Sequence, residues 1–116
     1  MLKIERFIFF TFIFIIGCYN NPTPTSEIIG ADISDLRYLK YDCQALYDEI
    51  IFLENRERDL VIAQDERIKL SDGQQFWSSG IGNGDGIEAS ELNNVRGENN
   101  AVERVFKNKG CTINTD

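Results

Sequence analysis

Residues 35–70 decide the fold of this chain and read DLRYLKYDCQALYDEIIFLENRERDLVIAQDERIKL. Apolar side chains recur here at alternating steps of four and three residues, which places them on one side of an α-helix. The positions of this seam are Leu39, Cys43, Leu46, Ile50, Leu53, Glu57, Leu60 and Gln64. Neither proline nor glycine interrupts the stretch. The pattern predicts a long helix with Ser34 as its N-cap and two polar positions in its seam.

A second helix is predicted over residues 86–109. Its seam repeats the same spacing at Leu92, Val95, Asn99, Val102 and Phe106. Asp85 followed by Glu88 is similar to a capping box, and Gly110 suits the left-handed residue that ends many helices. Between the two helices, residues 71–85 are rich in glycine and are predicted to form a turn.

The first eighteen residues resemble the signal of a bacterial lipoprotein. Basic residues precede an apolar run over residues 7–16, and Gly17 stands before Cys18. The run is too short for a permanent transmembrane helix. The resemblance implies cleavage after residue 17 and attachment of lipid, such as palmitate, to Cys18. Tyr19 in place of aspartate favours the outer membrane, facing the periplasm, in a Gram-negative host.

Residues 18–33 are predicted to be a flexible tether. They contain both prolines of the chain, Pro22 and Pro24, and their first half has no hydrophobic periodicity. Proline keeps such a segment extended. The folded part would then be residues 34–111, followed by a tail over residues 112–116.

Two cysteines remain after the lipid-bearing Cys18, namely Cys43 and Cys111. An even number of cysteines in an exported chain predicts a disulfide, although two free thiols or a bridge to another chain remain open. An antiparallel register that sets Leu46 opposite Phe106 also brings both cysteines to the end opposite the turn. The fold class is therefore predicted to be all-α, an antiparallel, coiled-coil-like two-helix hairpin closed by a disulfide.

The chain as a whole resembles small bacterial lipoproteins in which a cysteine opens one helix and a second helix ends in Gly-Cys. The resemblance is carried by Cys43-Gln44-Ala45-Leu46, Gly80 to Gly86, Glu91-Leu92, Arg96-Gly97-Glu98, Ala101-Val102-Glu103-Arg104 and Gly110-Cys111. It implies a location in the cell envelope but does not point to any particular activity.

Composition bears on the class of function. The net charge of −7 disfavours nucleic acid, because binding to a phosphate backbone depends on Lys and Arg. The chain has no histidine, and therefore lacks the commonest general base. We expect a non-enzymatic protein without a cofactor, apart from the covalent lipid.

A damaged calcium loop is the alternative interpretation of residues 83–91. The stretch is similar to an EF-hand loop, but Ile81 stands where the first ligand should be an aspartate. The weak candidate ligands are Asn83, Asp85, Glu88 and Glu91. A glycine turn with a helix cap is the competing explanation. The corresponding alternative function is a ligand-binding, calcium-binding or inhibitory lipoprotein.

Large aromatic residues in the glycine-rich region suggest a partner. Phe76 and Trp77 either cover the end of the hairpin core or contact another protein. A second apolar set lies off the main seam, at Tyr38, Tyr41, Ile51, Phe52 and Ile62. This set predicts a dimer that forms a four-helix bundle, or an N-terminal segment folded back over the hairpin. We expect an interaction or structural module that binds another envelope protein or itself.

Overall fold

The computed structural model describes residues 21–77 and 84–113. Helix α1 spans Cys43–Trp77 and helix α2 spans Ile87–Asn108. Single 3-10 turns lie at Thr25–Glu27 and Asp35–Arg37. Within the described ranges the chain forms no strand. The predicted all-α hairpin is confirmed, because α1 and α2 pack against each other and a disulfide joins them.

Ion pairs between the helices show that they are antiparallel. Arg56 Nη2 lies 2.6 Å from Glu91 Oε2, and Arg67 Nε lies 3.0 Å from Glu88 Oε2. Positions further along α1 therefore meet positions earlier in α2. Leu46, Leu53 and Val102 share one apolar cluster, whereas Leu60 and Leu92 share a second, as the predicted register requires.

The C-terminal end of α2 positions the disulfide. Gly110 has a φ of +70°, the left-handed conformation that its sequence position predicted. Its amide donates to the Lys107 carbonyl, and the Cys111 amide donates to the Phe106 carbonyl. These two bonds form a Schellman motif, which turns the chain back towards α1. Cys111 is thereby bonded to Cys43, with 5.6 Å between their Cα atoms.

Helix α1 begins later and ends later than the sequence pattern suggests. The Asp42 carboxylate accepts a hydrogen bond of 2.8 Å from the Ala45 amide, so α1 is capped there. Ser34 instead caps the second 3-10 turn, by accepting from the Leu36 amide. At its other end α1 continues through residues predicted to form the turn and reaches Trp77.

The N-terminal segment over residues 21–42, here called the strap, lies against both helices. Ile28 joins the apolar cluster of Leu60 and Leu92, and Tyr38 is fully buried in the other cluster. The flexible tether predicted to end at residue 33 thus differs from the structure over residues 21–33. The structure agrees with the alternative prediction, in which this segment folds back over the hairpin.

A polar residue in the seam of α1 helps to hold the strap. Glu57 Oε1 lies 2.8 Å from Nε of Arg96, so the guanidinium is fixed between the helices. The Nη1 group of Arg96 then donates to the backbone carbonyls of Thr25 and Ile28. The half-buried charge of Glu57 is therefore compensated, and two backbone carbonyls of the strap gain a charged donor.

The strap crosses α2 obliquely at Gly97. A Cβ atom built on this glycine would lie 2.3 Å from the carbonyl oxygen of Ala31. Next to the crossing, the Ala31 amide donates to the Asn93 carbonyl at 2.9 Å, and the Asn93 side chain donates to the Ile29 carbonyl. The surface of α2 beneath the strap repeats every four residues at Asn93, Gly97, Ala101 and Val105. Four residues turn by about 400°, so each member of this row lies about 40° further around the helix than the one before it. A strap that follows the row therefore runs at an angle to the axis of α2.

We predict opposite effects for alanine at two helical glycines. Gly97→Ala should lower the free energy of unfolding by about 1–2 kcal/mol, because displacing the strap backbone outweighs the better helix propensity of alanine. Gly73→Ala should raise it by about 0.5–1 kcal/mol, because a Cβ there meets nothing within 4 Å. Urea unfolding of the oxidised protein measures both changes.

The two substitutions are matched controls, since both replace a glycine inside a helix by the same residue. Equal stabilisation by both would show that the strap does not lie on Gly97.

Candidate interaction groove

An open groove lies between the helices beside the disulfide. It has a volume of about 600 Å³ and is lined by Ile50, Glu54, Asn100, Glu103, Arg104, Phe106, Lys107, Asn108 and Ile113. A neighbouring hollow of about 370 Å³ is lined by Cys43, Gln44, Tyr47, Phe106, Thr112 and Ile113. Because both share Phe106 and Ile113, they form one concave surface, here called the groove.

The apolar part of the groove is positioned by the disulfide and the Schellman motif. Phe106 is half-buried in the last turn of α2, and Ile113 follows Cys111 with 59 % of its surface exposed. Ile50 belongs to α1 and packs against the cluster of Leu46 and Val102. The cross-link therefore keeps side chains from three separate parts of the chain at one solvent-open site.

Charges of both signs line the rim of the groove. Glu54 and Glu103 contribute carboxylates, and Lys107 and Arg104 contribute cations. Arg104 Nη2 lies 2.8 Å from Asp35 Oδ1, and this hydrogen bond raises the pKa of the Arg104 guanidinium above its ordinary value. An apolar floor with a charged rim suits one or more apolar side chains of a protein partner.

A hydrogen-bonded cluster at the opposite end of the hairpin fixes the start of the strap. The Asp85 carboxylate accepts from the Thr23 amide at 2.6 Å and from the Thr23 hydroxyl. Gln64 Nε2 donates at 2.9 Å to Asp85 Oδ1 and at 2.9 Å to the Thr23 carbonyl. These residues, Thr23, Gln64 and Asp85, are here called the latch.

The latch shows that the predicted capping box is wrong. The N-cap of α2 is Gly86, which has no side chain to cap the helix. The carboxylate of Asp85 is instead occupied by Thr23 and Gln64, which come from parts of the chain that a local pattern does not include. Glu88 pairs with Arg67 across the hairpin.

Electrostatic effects in the latch favour the ionised carboxylate. Burial raises the pKa of Asp85, but the hydrogen bonds from Thr23 and Gln64 outweigh it, so that the pKa lies below its ordinary value. A hydrogen bond from its own backbone amide, followed by the bond from Arg67, lowers the pKa of Glu88. Both side chains are therefore anions that bind residues distant from them in the sequence.

The candidate calcium ligands that the structure describes each bind a different partner. Asp85 faces the strap, Glu88 faces Arg67 and Glu91 faces Arg56. Asn83 lies outside the described residues. Across residues 21–77 and 84–113, no three His, Cys, Asp or Glu side chains are grouped so that they could share a metal ion.

The other predicted site residues are only partly covered by the structure. Cys18 lies outside the described residues. Phe76 and Trp77 form the last backbone positions of α1, but their side chains also lie outside what the structure describes. The predicted disulfide between Cys43 and Cys111 is present.

Sequence reasoning missed the latch and the crossing at Gly97. Two signals were available, because Gln64 is a polar residue in an apolar seam and Gly97 weakens the middle of a helix. Neither signal identifies its partner, since Thr23 and Ala31 lie in a segment with the composition of a tether.

Comparisons with known proteins give no assignment: no family model, curated protein or solved structure matches the chain. In the part of the chain that the structure describes, neither helix has the length and apolar character needed to cross a bilayer. The groove and the latch therefore have to be interpreted from their own chemistry.

We predict that Asp85→Asn lowers the free energy of unfolding at pH 7 by about 1 kcal/mol, because three donors lose a charged acceptor at a solvent-accessible position. Since folding lowers the pKa of Asp85, its ionisation stabilises the fold above the ordinary value of 3.8 and ceases to do so as the pH falls through the folded-state value. The difference between variant and parent should therefore shrink in acid. Urea titrations at neutral and acidic pH test this.

Asp59→Asn provides the control, because Asp59 is exposed on α1 away from the latch. A stability difference for Asp85→Asn that stays constant down to strongly acidic pH would contradict a role for the carboxylate.

Proposed function

We propose that the chain is a membrane-anchored lipoprotein of the cell envelope whose disulfide-closed hairpin is a non-enzymatic protein-interaction module. The groove beside the disulfide is the observation that carries the interaction part of this proposal. The lipoprotein-like signal over residues 1–18 supports the anchor, and the disulfide fits an oxidising compartment.

The groove supports binding of a protein better than chemistry on a small molecule. It is open to solvent, and histidine is absent from the whole sequence. The ionisable groups on its rim are carboxylates, a lysine and an arginine held by Asp35. Exposed apolar residues between charged ones are typical of a site where a partner buries side chains.

The remainder of the proposed partner surface comes from α1. Ile51 and Phe52 are exposed by 40 % and 63 %. Because each residue of an α-helix turns by about 100°, Ile51 lies about 60° from the groove residue Glu54, whereas Phe52 lies on the side of α1 opposite Ile50. A partner that fills the groove can therefore extend over Ile51. The partner is another envelope protein or a second copy of this chain.

We predict that a photo-crosslinking amino acid at position 113 captures the partner in intact cells, whereas one at position 62 does not. Both Ile113 and Ile62 are exposed isoleucines, but only Ile113 lines the groove. Gel analysis and mass spectrometry of the adducts measure the difference. An adduct of twice the mass of the chain would identify a second copy as the partner.

The substitution Ile113→Asp should reduce capture from a crosslinker at position 47 by roughly tenfold, as expected for loss of a central apolar contact. Ile62→Asp should leave it unchanged. Equal adduct formation from positions 113 and 62 would contradict the groove as the binding site.

We predict that Cys18→Ser abolishes incorporation of radiolabelled palmitate and moves the exported protein from the membrane fraction to the soluble fraction, because stable anchoring depends on acyl chains. Fractionation and labelling of cells that express each form test this. Continued labelling of the variant would place the lipid elsewhere and contradict the assigned anchor.

A further inference from the structure

We propose that the hairpin stands on the membrane with its turn end, the end marked by Asp85 and the end of α1, towards the bilayer and its disulfide and groove pointing away. The inference rests on the proposed lipid anchor at Cys18. It comes from the direction of the strap, the position of the latch and the length of chain between the latch and the anchor.

The latch fixes where the chain leaves the hairpin. Thr23 is bound to Asp85 and Gln64, and Pro22 just before it is buried. From this point the strap runs past Ile28 and Gly97 towards the disulfide. The strap therefore begins at the turn end of the hairpin.

The chain before the latch is too short to reverse this orientation. Four residues lie between Cys18 and Thr23, and the five steps from one to the other span at most about 17 Å. The 22 residues of α2 between the latch and the disulfide end are about 33 Å long. The lipid-bearing residue consequently cannot lie beside the groove while the latch is closed.

Helix α1 extends towards the same surface. It continues from Gln64 of the latch to Trp77, which is about 20 Å of helix. This length is similar to the reach of the anchor segment, so the end of α1 meets the level of the lipid headgroups. Trp and Phe are the residue types that favour this interface, and the sequence places Phe76 and Trp77 at that position.

Charge disfavours the alternative in which the hairpin lies flat. The chain carries 19 acidic and 12 basic residues. A flat hairpin would bring exposed carboxylates of both helices against headgroups, where basic residues are the ones attracted to anionic lipid. An upright hairpin limits contact to one end and leaves the groove accessible to a protein partner.

The chain's single tryptophan, Trp77, makes this orientation measurable. The lipidated protein is reconstituted in phosphatidylcholine vesicles that contain phosphatidylcholine spin-labelled in the headgroup. The parent protein has its fluorescent tryptophan at the turn end, and the double variant Trp77→Phe/Tyr47→Trp has its tryptophan at the groove. We expect quenching of the parent to be several-fold stronger than that of the double variant. Equal quenching, or stronger quenching from position 47, would overturn the proposed orientation.

A latch variant tests the cause of the orientation. Thr23→Val combined with Asp85→Asn frees the start of the strap, and in this background the contrast between the two reporters should fall. A contrast that persists unchanged would show that the latch does not set the orientation.

Failure of the anchor itself gives a different result. A protein without acyl chains does not float with the vesicles, which would contradict the proposed function. Coupling Cys18 to a maleimide phospholipid then restores attachment at the same atom, and the same quenching comparison decides the orientation independently of cellular lipidation.

Discussion

The passage of the strap over Gly97 is the contact on which the arrangement of this protein depends. The backbone at Ala31 can approach α2 closely because position 97 has no side chain. That approach lets Ala31 and Asn93 share a backbone hydrogen bond, and it brings Ile28 and Tyr38 into separate apolar clusters. A two-helix hairpin has a thin core, and the strap adds a third layer to each half of it.

Polar residues in the apolar seam of α1 determine where the strap lies. Glu57 holds Arg96, which binds carbonyls of the strap, and Gln64 binds both Thr23 and Asp85. Purely apolar residues at these positions would pack the hairpin but would leave the strap backbone without specific partners. Glu57 and Gln64 therefore bury less apolar surface than leucine would at these positions, but they fix the path of the strap.

The hairpin itself was predictable because its determinants are local and periodic. The seam spacing, the left-handed Gly110 and the pairing of Cys43 with Cys111 each follow from positions near one another on a helix or from cysteine number. The strap was not predictable in the same way, since its hydrogen bonds join residues about 40 to 70 positions apart, such as Thr23 with Gln64 and Arg104 with Asp35. The predicted capping box is wrong for this reason, because the Asp85 carboxylate binds the distant Thr23 and not the first turn of the helix.

The same distinction applies to the candidate site. The disulfide was predictable from the sequence, but the groove arises only when the Schellman motif sets Ile113 beside Phe106 and Ile50. These residues belong to three segments whose individual patterns describe a helix seam, a helix end and a tail. A concave surface is a property of their arrangement in three dimensions, which spacing along one helix does not encode.

The strap lies outside the covalent loop closed by Cys43 and Cys111. Tension applied to the chain on the N-terminal side of Thr23 would therefore act on the strap before it acts on the cross-linked helices. Such tension would reach the contact of Thr23 with Asp85 before the contact at Gly97, and the disulfide would keep Cys43 and Cys111 joined. If residues 21–42 were fully extended, this segment alone would be about 70 Å long. The strap is therefore the one described part of the fold that could lengthen without unfolding the segment closed by the disulfide.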